Sequence, residues 1–214
     1  MKARAPSPGG SRVIRPRPSP VSSPLPHEVR IIGGAWRRSK LPVADRPGLR
    51  PTPARIRETL FNWLGQDLSG WRCLDAFAGS GALGFEAASR GAAAVCMLEQ
   101  DPALVHSLRA TRERLNAAAV RVEQADALAW MARAGGASFD LVFIDPPFDA
   151  GLHAGAVAAA TPLVADGGWL YLESGEAVAA VPAGWQRHRR ARAGAVHAEL
   201  WVRRAGQPPT AHDS

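Results

Sequence analysis

The sequence predicts an α/β fold: a mostly parallel sheet covered by helices on both faces and closed by an antiparallel hairpin. Three observations carry this. After Gly70, short apolar runs alternate with amphipathic stretches at helical spacing, the βαβ pattern of a sheet buried on both faces. The stretch Asp75-Ala-Phe-Ala-Gly79-Ser-Gly81-Ala-Leu-Gly84 stands between the first such run and the first helix after it. The alternation then ends in two consecutive strand-like segments, Trp185–Ala193 and Ala195–Arg203, joined through Gly194.

Residues 1–26 are rich in Pro, Ser and Arg and nearly devoid of aliphatic side chains, so they are expected to form a disordered basic tail. Residues 27–53 form an extension. Val29–Ile32 reads as a short strand, Gly33-Gly34 as a turn, and Ala35–Val43 as a second strand carrying Trp36, Arg37, Arg38 and Lys40. Pro47, Gly48, Pro51 and Pro53 stiffen the loop that follows, and Thr52 is placed to cap a helix with Pro53 at its first position. That helix runs to about Leu64, with Ile56, Leu60, Phe61 and Leu64 at helical spacing.

The main domain spans residues 54–204. Its strands are expected at Arg72–Phe77, Ala94–Glu99, Val120–Gln124, Leu141–Asp145 and Trp169–Glu173, before the closing hairpin. Helices fit at Leu83–Ser89, Pro102–Ala117, Ala127–Ala134 and Ala154–Val164. Residues 205–214 read as a frayed tail.

Composition narrows the function classes. A chain of 214 residues, 46% hydrophobic and 21% charged, suits a globular domain that buries a full core. No apolar run is long enough to span a bilayer, and the first thirty residues lack the apolar stretch of a secretory signal. Cys73 and Cys96 sit inside apolar runs without Cys or His at ligand spacing. They are expected to be buried thiols, with neither disulfide nor metal, in a cytoplasmic protein. Charge is unevenly spread: thirteen Lys or Arg against two acids up to Arg57, +11, and −4 over the remainder. A basic arm on a mildly acidic body implies contact with a polyanion, most simply nucleic acid.

The glycines at G-x-G-x-x-G spacing permit a tight turn and close approach of a ligand to backbone, a pattern that nucleotide-binding dehydrogenases share. Three acids at successive strand ends shift the reading, because ligands in such sheets bind outside the carboxyl edge. Asp75 would repel a pyrophosphate but welcome the ammonium of a methionine moiety. Glu99, about twenty residues after the first glycine, is placed to accept hydrogen bonds from ribose hydroxyls. Asp126 is placed to orient an adenine amino group or, alternatively, to cap a helix, as Asp101 does. The expected cofactor contacts are Asp75, Phe77, Ala78, Gly79, Ser80, Gly81, Glu99, Gln100, Asp126 and Ala127.

Asp145-Pro146-Pro147-Phe148 ends the fourth strand. An exocyclic amine is conjugated with its ring, so its lone pair is a poor nucleophile. A carboxylate together with a main-chain carbonyl beside a proline can accept both N–H bonds and aim that lone pair at a methyl group. Phe148 offers a ring on which an extruded base stacks, and the two prolines stiffen the turn. The tetrapeptide resembles the motif of amino-group methyltransferases that act on adenine, cytosine, guanine or glutamine amides. With the glycine loop it implies a Rossmann-like class I methyltransferase that uses S-adenosyl-L-methionine.

The segments Arg30-Ile-Ile-Gly-Gly-Ala-Trp-Arg37-Arg38, Leu41-Pro-Val and Leu49-Arg50-Pro-Thr52-Pro-Ala-Arg55-Ile-Arg57-Glu58-Thr-Leu-Phe-Asn62-Trp63-Leu resemble the opening of the RsmD family. These are bacterial enzymes that methylate guanine N2 in 16S ribosomal RNA, and the resemblance runs from about Val29 to Arg203. It implies a seven-stranded sheet preceded by a small hairpin that helps grip RNA, and Asp145 as the catalytic position. It also implies 16S rRNA, free or in an assembling 30S particle, as the partner of a monomer.

The residues themselves offer an RNA grip at Arg37, Arg38 and Lys40 on one ribbon, while Arg50, Thr52, Arg55 and Arg57 cluster at a helix start that favours anions, either RNA phosphate or the cofactor's carboxylate. Trp36 either stacks on a base or anchors the hairpin to the body, and Arg57 beside Glu58 is expected on a solvated helix face. Arg187, Arg189, Arg190 and Arg192 fit an edge strand kept soluble by charge. Three other functions compete: adenine N6 methylation of DNA or RNA, a non-catalytic RNA-binding module with a vestigial pocket, and a nicotinamide oxidoreductase. The last leaves Asp145–Phe148 without a role.

Overall fold

The computed structural model describes residues 28–43, 52–136, 138–147 and 151–206. Two short antiparallel strands come first, β1 (Glu28–Arg30) and β2 (Lys40–Pro42), followed by α1 (Ala54–Trp63). The alternating body then runs β3 (Arg72–Asp75), α2 (Ala82–Ser89), β4 (Ala94–Glu99), α3 (Pro102–Arg114), β5 (Val120–Gln124), α4 (Ala127–Arg133), β6 (Phe139–Ile144) and α5 (His153–Ala160). A short 3₁₀ turn, Thr161–Leu163, leads into β7 (Val164–Ser174), and β8 (Trp185–Ala193) and β9 (Val196–Arg203) close the sheet. The seven strands lie in the order β5-β4-β3-β6-β7-β9-β8; the first five run parallel, and β9 is antiparallel to both its neighbours.

Strand composition explains this arrangement. Val95, Cys96, Met97 and Leu98 are all buried, as are Leu141, Val142, Phe143 and Ile144, because helices cover both faces and no alternation with polar residues is needed. On one face Ile56, Leu60 and Phe61 of α1, Phe85 of α2 and Leu108 of α3 pack with Phe143 and Tyr171. On the other, Met131 of α4 and Ala156 and Ala160 of α5 pack with Val142, Leu170 and Trp201. Cys73 and Cys96 are buried free thiols. Among the described residues no helix is long and apolar enough to cross a membrane.

Several boundaries differ from the sequence reading, each for a local reason. β3 stops at Asp75, short of Phe77, because the chain leaves the sheet to form the glycine loop, with Ala78 N bonded to Leu98 O at 2.9 Å. The helix after Asp145 ends at Ala160, not Val164; Pro162 lacks an N–H and the chain tightens into the 3₁₀ turn. The strand expected from Ala35 to Val43 is only Lys40–Pro42. Residues 35–38 turn instead: Arg38 has φ +71°, and Ser39 N closes onto Trp36 O at 2.9 Å. Gly34 (φ +73°) lies so close to α2 that a Cβ there would sit 1.8 Å from Ser89 O. Arg37, Arg38 and Lys40 therefore do not share one ribbon.

Thr52 does not cap α1 either. Pro53 is the N-cap, without a side-chain hydrogen bond, and the Thr52 hydroxyl is used elsewhere. Nor is Arg57 on a solvated face: it is 2% exposed, beneath the N-terminal hairpin. The expected tails at 1–26 and beyond 206, and Arg50, lie outside the described residues.

Candidate active site

The strand order places a topological switch between β3 and β6: the chain continues from β3 to β4 on one side and returns to β6 on the other. A crevice opens at the carboxyl ends of strands at such a point. Asp75 ends β3 there, and Asp145 follows the last residue of β6.

Asp75 is fully buried, and its Oδ2 accepts a hydrogen bond from Gly84 N at 2.9 Å. A side chain at Gly84 would intrude here, since its Cβ would lie 3.0 Å from that oxygen and 2.5 Å from Met97. Burial pushes the Asp75 carboxyl up to about 7, the charges of Asp145 and Glu99 add to this, and the Gly84 N–H opposes it. Gly81, at φ +76°, starts α2 in a left-handed conformation that favours glycine. Glu99 ties the loop down: Oε2 accepts from Gly79 N and Oε1 from Asp101 N, both at 2.9 Å. Phe77, Gly79, Ser80 and Glu99 are half-buried, Ala78 is buried and Gln100 is exposed. Asp126 caps α4 by accepting from Ala129 N at 2.7 Å, with its carboxyl exposed and Ala127 buried behind it. Asp101 caps α3, as expected from its place before Pro102.

Asp145 is half-buried. Among the described residues the hydrogen bond to its carboxylate comes from Thr52, whose hydroxyl donates to Oδ2 at 3.0 Å. Burial pushes the Asp145 carboxyl up to about 6, and the Thr52 hydroxyl opposes the shift. Pro146 is buried and Pro147 exposed, while Phe148 lies outside the described residues. Two residues that the sequence reading passed over stand beside Asp145. The β6–β7 pairing ends at Ile144↔Leu172; Glu173, the next residue of β7, is 2% exposed and accepts from Tyr171 Oη at 2.7 Å. The signal was present: a Tyr and a Glu two apart, on one face at the end of an apolar strand.

Behind these groups lies a buried ionic cluster. Glu86 receives Ile32 N at 2.7 Å and Gly33 N at 2.8 Å, Arg90 Nη2 at 2.8 Å and Arg57 Nη1 at 3.5 Å. Arg57 also donates to Arg30 O at 3.0 Å and to Thr52 O at 3.3 Å, so it fixes the segment that carries Thr52. Trp36 packs half-buried against the core, on the side of anchorage.

The basic residues fall at two ends of the molecule. The turn bearing Arg37 and Arg38 rests on the last residues of α2, with Ala35 N bonded to Ser89 O at 2.7 Å, and Arg114 at the end of α3 donates to Lys40 O at 2.6 Å. α2 runs away from the glycine loop for eight residues, about 12 Å of helix. Lys40 is also paired with Glu28 at 2.9 Å on the surface. Exposed Arg55 stands instead in the first turn of α1, near Thr52. The β8–β9 turn is at the catalytic edge too, because His197 pairs with both Ser174 and Arg192. Arg189, Arg190 and Arg192 are exposed there, without a carboxylate partner among the described residues.

The donor set suits a cation that carries a nucleoside. The charges of Asp145 and Glu99 raise the proton affinity of buried Asp75, so a sulfonium and an ammonium there would relieve the repulsion on it. Fold and site together define a class I S-adenosylmethionine-dependent methyltransferase. The family described as "Conserved hypothetical protein 95" matches residues 29–202, and the chain belongs to it. It is 45% identical over 186 residues to "Ribosomal RNA small subunit methyltransferase D" of Escherichia coli K12, covering 83% of this chain and 91% of that protein. It is 42% identical over 146 residues to the protein of the same name from Haemophilus influenzae, covering 67% and 74%. The solved structure "Putative methyltransferase yhhF" from Escherichia coli superposes with a TM-score of 0.75 at 41% identity, covering 83% of this chain and 99% of that one. The resemblance to the RsmD family and the seven-stranded fold expected from it hold.

Proposed function

We propose that this chain transfers a methyl group from S-adenosylmethionine to the exocyclic N2 amine of a guanine in 16S ribosomal RNA, as a cytoplasmic monomer acting on free rRNA or an assembling 30S particle. The observation that carries the reading is Asp145, a half-buried carboxylate at the switch point, held on one oxygen by Thr52 and followed by a Pro-Pro turn. Small-subunit RNA follows the names of the relatives, and guanine N2 follows the family resemblance.

S-Adenosylmethionine supplies an electrophilic methyl group on a sulfonium. Asp145 accepts one N–H of the target amine, and a main-chain carbonyl of the Pro146-Pro147 turn accepts the other, which turns the nitrogen lone pair out of conjugation. The nitrogen–methyl bond forms as the sulfur–methyl bond breaks, and the surplus amine proton passes to Asp145. Asp75, Glu99 and Asp126, with the backbone of Phe77–Gly81, Gln100 and Ala127, hold the methionine, ribose and adenine parts. Phe148 stacks on the extruded base. Methyl transfer assayed on naked DNA, free rRNA and 30S particles, with mass spectrometry of the product nucleoside, tests the assignment. N6-methyladenine as the product would overturn it.

Glu99→Ala is expected to weaken S-adenosylmethionine binding by about 1–3 kcal/mol, because a charged acceptor is lost together with the tether on Gly79 N. Calorimetric titration reads this directly, and unchanged affinity would remove Glu99 from the ribose site.

We infer that the RNA grip divides between the two ends. Arg55 and the β8–β9 arginines hold phosphates next to the target base, and Arg37, Arg38 and Lys40 hold RNA farther out. Arg192 lies three strand spacings from the β6 tip, about 14 Å. Replacing Arg190 and Arg192 with Ala should lower the log–log salt slope of RNA binding by about two and reduce kcat/KM. Replacing Arg37, Arg38 and Lys40 should lower affinity with less effect on turnover. Equal salt slopes in wild type and the Arg190/Arg192 variant would exclude these two arginines as phosphate ligands.

A further inference from the structure

The turn that carries Asp126 is closed by a contact that the chemistry above does not use. Arg121 and Glu123 lie two apart on β5, opposite Cys96 and Leu98 of β4, so they share the face of the sheet that α4 covers. There the indole Nε1 of Trp130, in the middle of α4, donates to Glu123 Oε2 at 2.6 Å. Arg121 holds the other oxygen, Oε1, at 2.6 Å, which leaves Oε2 turned to the indole. Both partners of this staple are half-buried, and the Trp130 ring packs against Phe139 with centroids 6.4 Å apart.

Between Glu123 and Trp130 the chain turns from β5 into α4. Ala125 N donates to Glu99 O at 3.0 Å, which ties the turn to the end of β4. Asp126 Oδ1 accepts from Ala129 N at 2.7 Å, and Asp126 O accepts from Trp130 N at 2.9 Å. Capping thus occupies one carboxylate oxygen and leaves Oδ2 for a ligand. The helix has seven residues, fewer than the roughly 12–15 that an isolated helix needs to persist in water, so its hold on the body decides where Asp126 stands. Burial of Ala127 and Met131 presses α4 onto the sheet, but apolar packing has no direction of its own. The Trp130–Glu123 bond supplies that direction, joining the helix to the strand across the turn.

We propose that Glu123 and Trp130 are positioning residues for the cofactor: their hydrogen bond closes the β5–α4 turn and holds Asp126 Oδ2 where it accepts a hydrogen from the adenine 6-amino group. This rests on Asp126 as the adenine ligand. A turn released from the staple recognises adenine only for the fraction of time it is in place, and apparent affinity falls by that fraction. The side chains assigned to the methionine and ribose parts, Asp75 and Glu99, stand on β3 and β4, so the loss falls on the adenine amine.

The test titrates two ligands by calorimetry: S-adenosyl-L-homocysteine, and its analogue with hydrogen in place of the adenine 6-amino group. The ratio of their affinities reads the contact at that amine, whereas general loosening of the fold weakens both alike; thermal melting reports folding. Wild type should prefer the amino ligand about tenfold or more, the usual size for a hydrogen bond to a charged group. W130F keeps a ring beside Phe139 but has no donor, and E123A has no acceptor. Each should lower the ratio to about threefold or less, with little change for the analogue. E123Q, whose amide oxygen still accepts, should keep most of the ratio, and W130F/E123A should be no worse than the weaker single variant. A wild-type ratio in W130F, equal losses for both ligands, additive losses in the double variant, or an E123Q as impaired as E123A would overturn the proposal. If E123A does not fold, W130F against E123Q decides it: a ratio lost in the first and kept in the second supports the staple, and any other pair of results sinks it. A wild type that binds both ligands equally, or a D126A that keeps the full preference, would instead remove the reading on which the proposal stands, whatever Glu123 and Trp130 do.

Discussion

Asp145→Ala is expected to lower kcat by about a hundredfold or more while leaving S-adenosylmethionine affinity within a few-fold. The carboxylate strengthens its hold on the amine as the nitrogen gains positive charge, so its loss appears in the transition state. In the proposed site the cofactor is held by other groups, on β3, β4 and the glycine loop between them. Removing the Asp145 charge also relieves Asp75, whose proton affinity it raises, so the methionine pocket ionises more readily in the variant. In the wild type the working form of Asp145 is the anion, with its pKa near 6. Activity should therefore be full above that pH and fall as pH drops through it. Single-turnover rates at several pH values, beside calorimetry with the cofactor, separate the two effects. A variant that keeps near-normal rates removes Asp145 from the mechanism.

The parts of the fold that were legible in the sequence are those set by local pattern. β4 and β5 match residue for residue because a run such as Val95–Leu98 has one stable place, the middle of a covered sheet. The glycine loop was legible because its backbone conformation requires particular residues at particular positions. Asp145 was legible because proline follows it twice at the end of an apolar strand. What escaped depends on contacts distant in sequence. Thr52 followed by Pro53 reads as a cap, and only the approach of the β6 tip, 93 residues later, gives its hydroxyl a stronger use as a donor to a half-buried carboxylate. Arg57 reads as a surface cation because Glu58 follows it, yet a helix can bury one of two adjacent positions and expose the other. Its partners come from β1 and α2, and no periodicity within α1 reveals them.

The arginines show the same limit. Arg37 and Arg38 count as a basic patch in sequence, but Gly34 seats their turn against the C-terminal end of α2, away from the crevice. The β8 arginines read as edge-strand protection, and it is the pairing of His197 with both Ser174 and Arg192 that brings them to the catalytic side. Charge composition points to the kind of partner; in the proposed reading the sheet register decides which charges would meet it near the target base.

Glu86→Ala is expected to destabilise the fold by about 3–5 kcal/mol, the usual cost of breaking a buried ion pair by removing one partner. Glu86 is fully buried, and its two oxygens receive Ile32 N, Gly33 N and the guanidinium groups of Arg57 and Arg90. Alanine leaves two buried cations and two main-chain donors without their acceptor, and neither cation has an easy route to water. Arg90 lies over the Phe61 ring at 4.7 Å, and Arg57 is packed under the N-terminal hairpin. The damage should reach the active site through Arg57, because that side chain also holds Thr52 O and thus the hydroxyl on Asp145. Urea unfolding measures the stability loss, and limited proteolysis between Arg30 and Arg38 should report release of the hairpin before global unfolding. A loss below about 1 kcal/mol, the size expected of an exposed pair, would mean that water or neighbouring carbonyls replace Glu86 and that the hairpin is held mainly by Ile31 and Leu41 in the core.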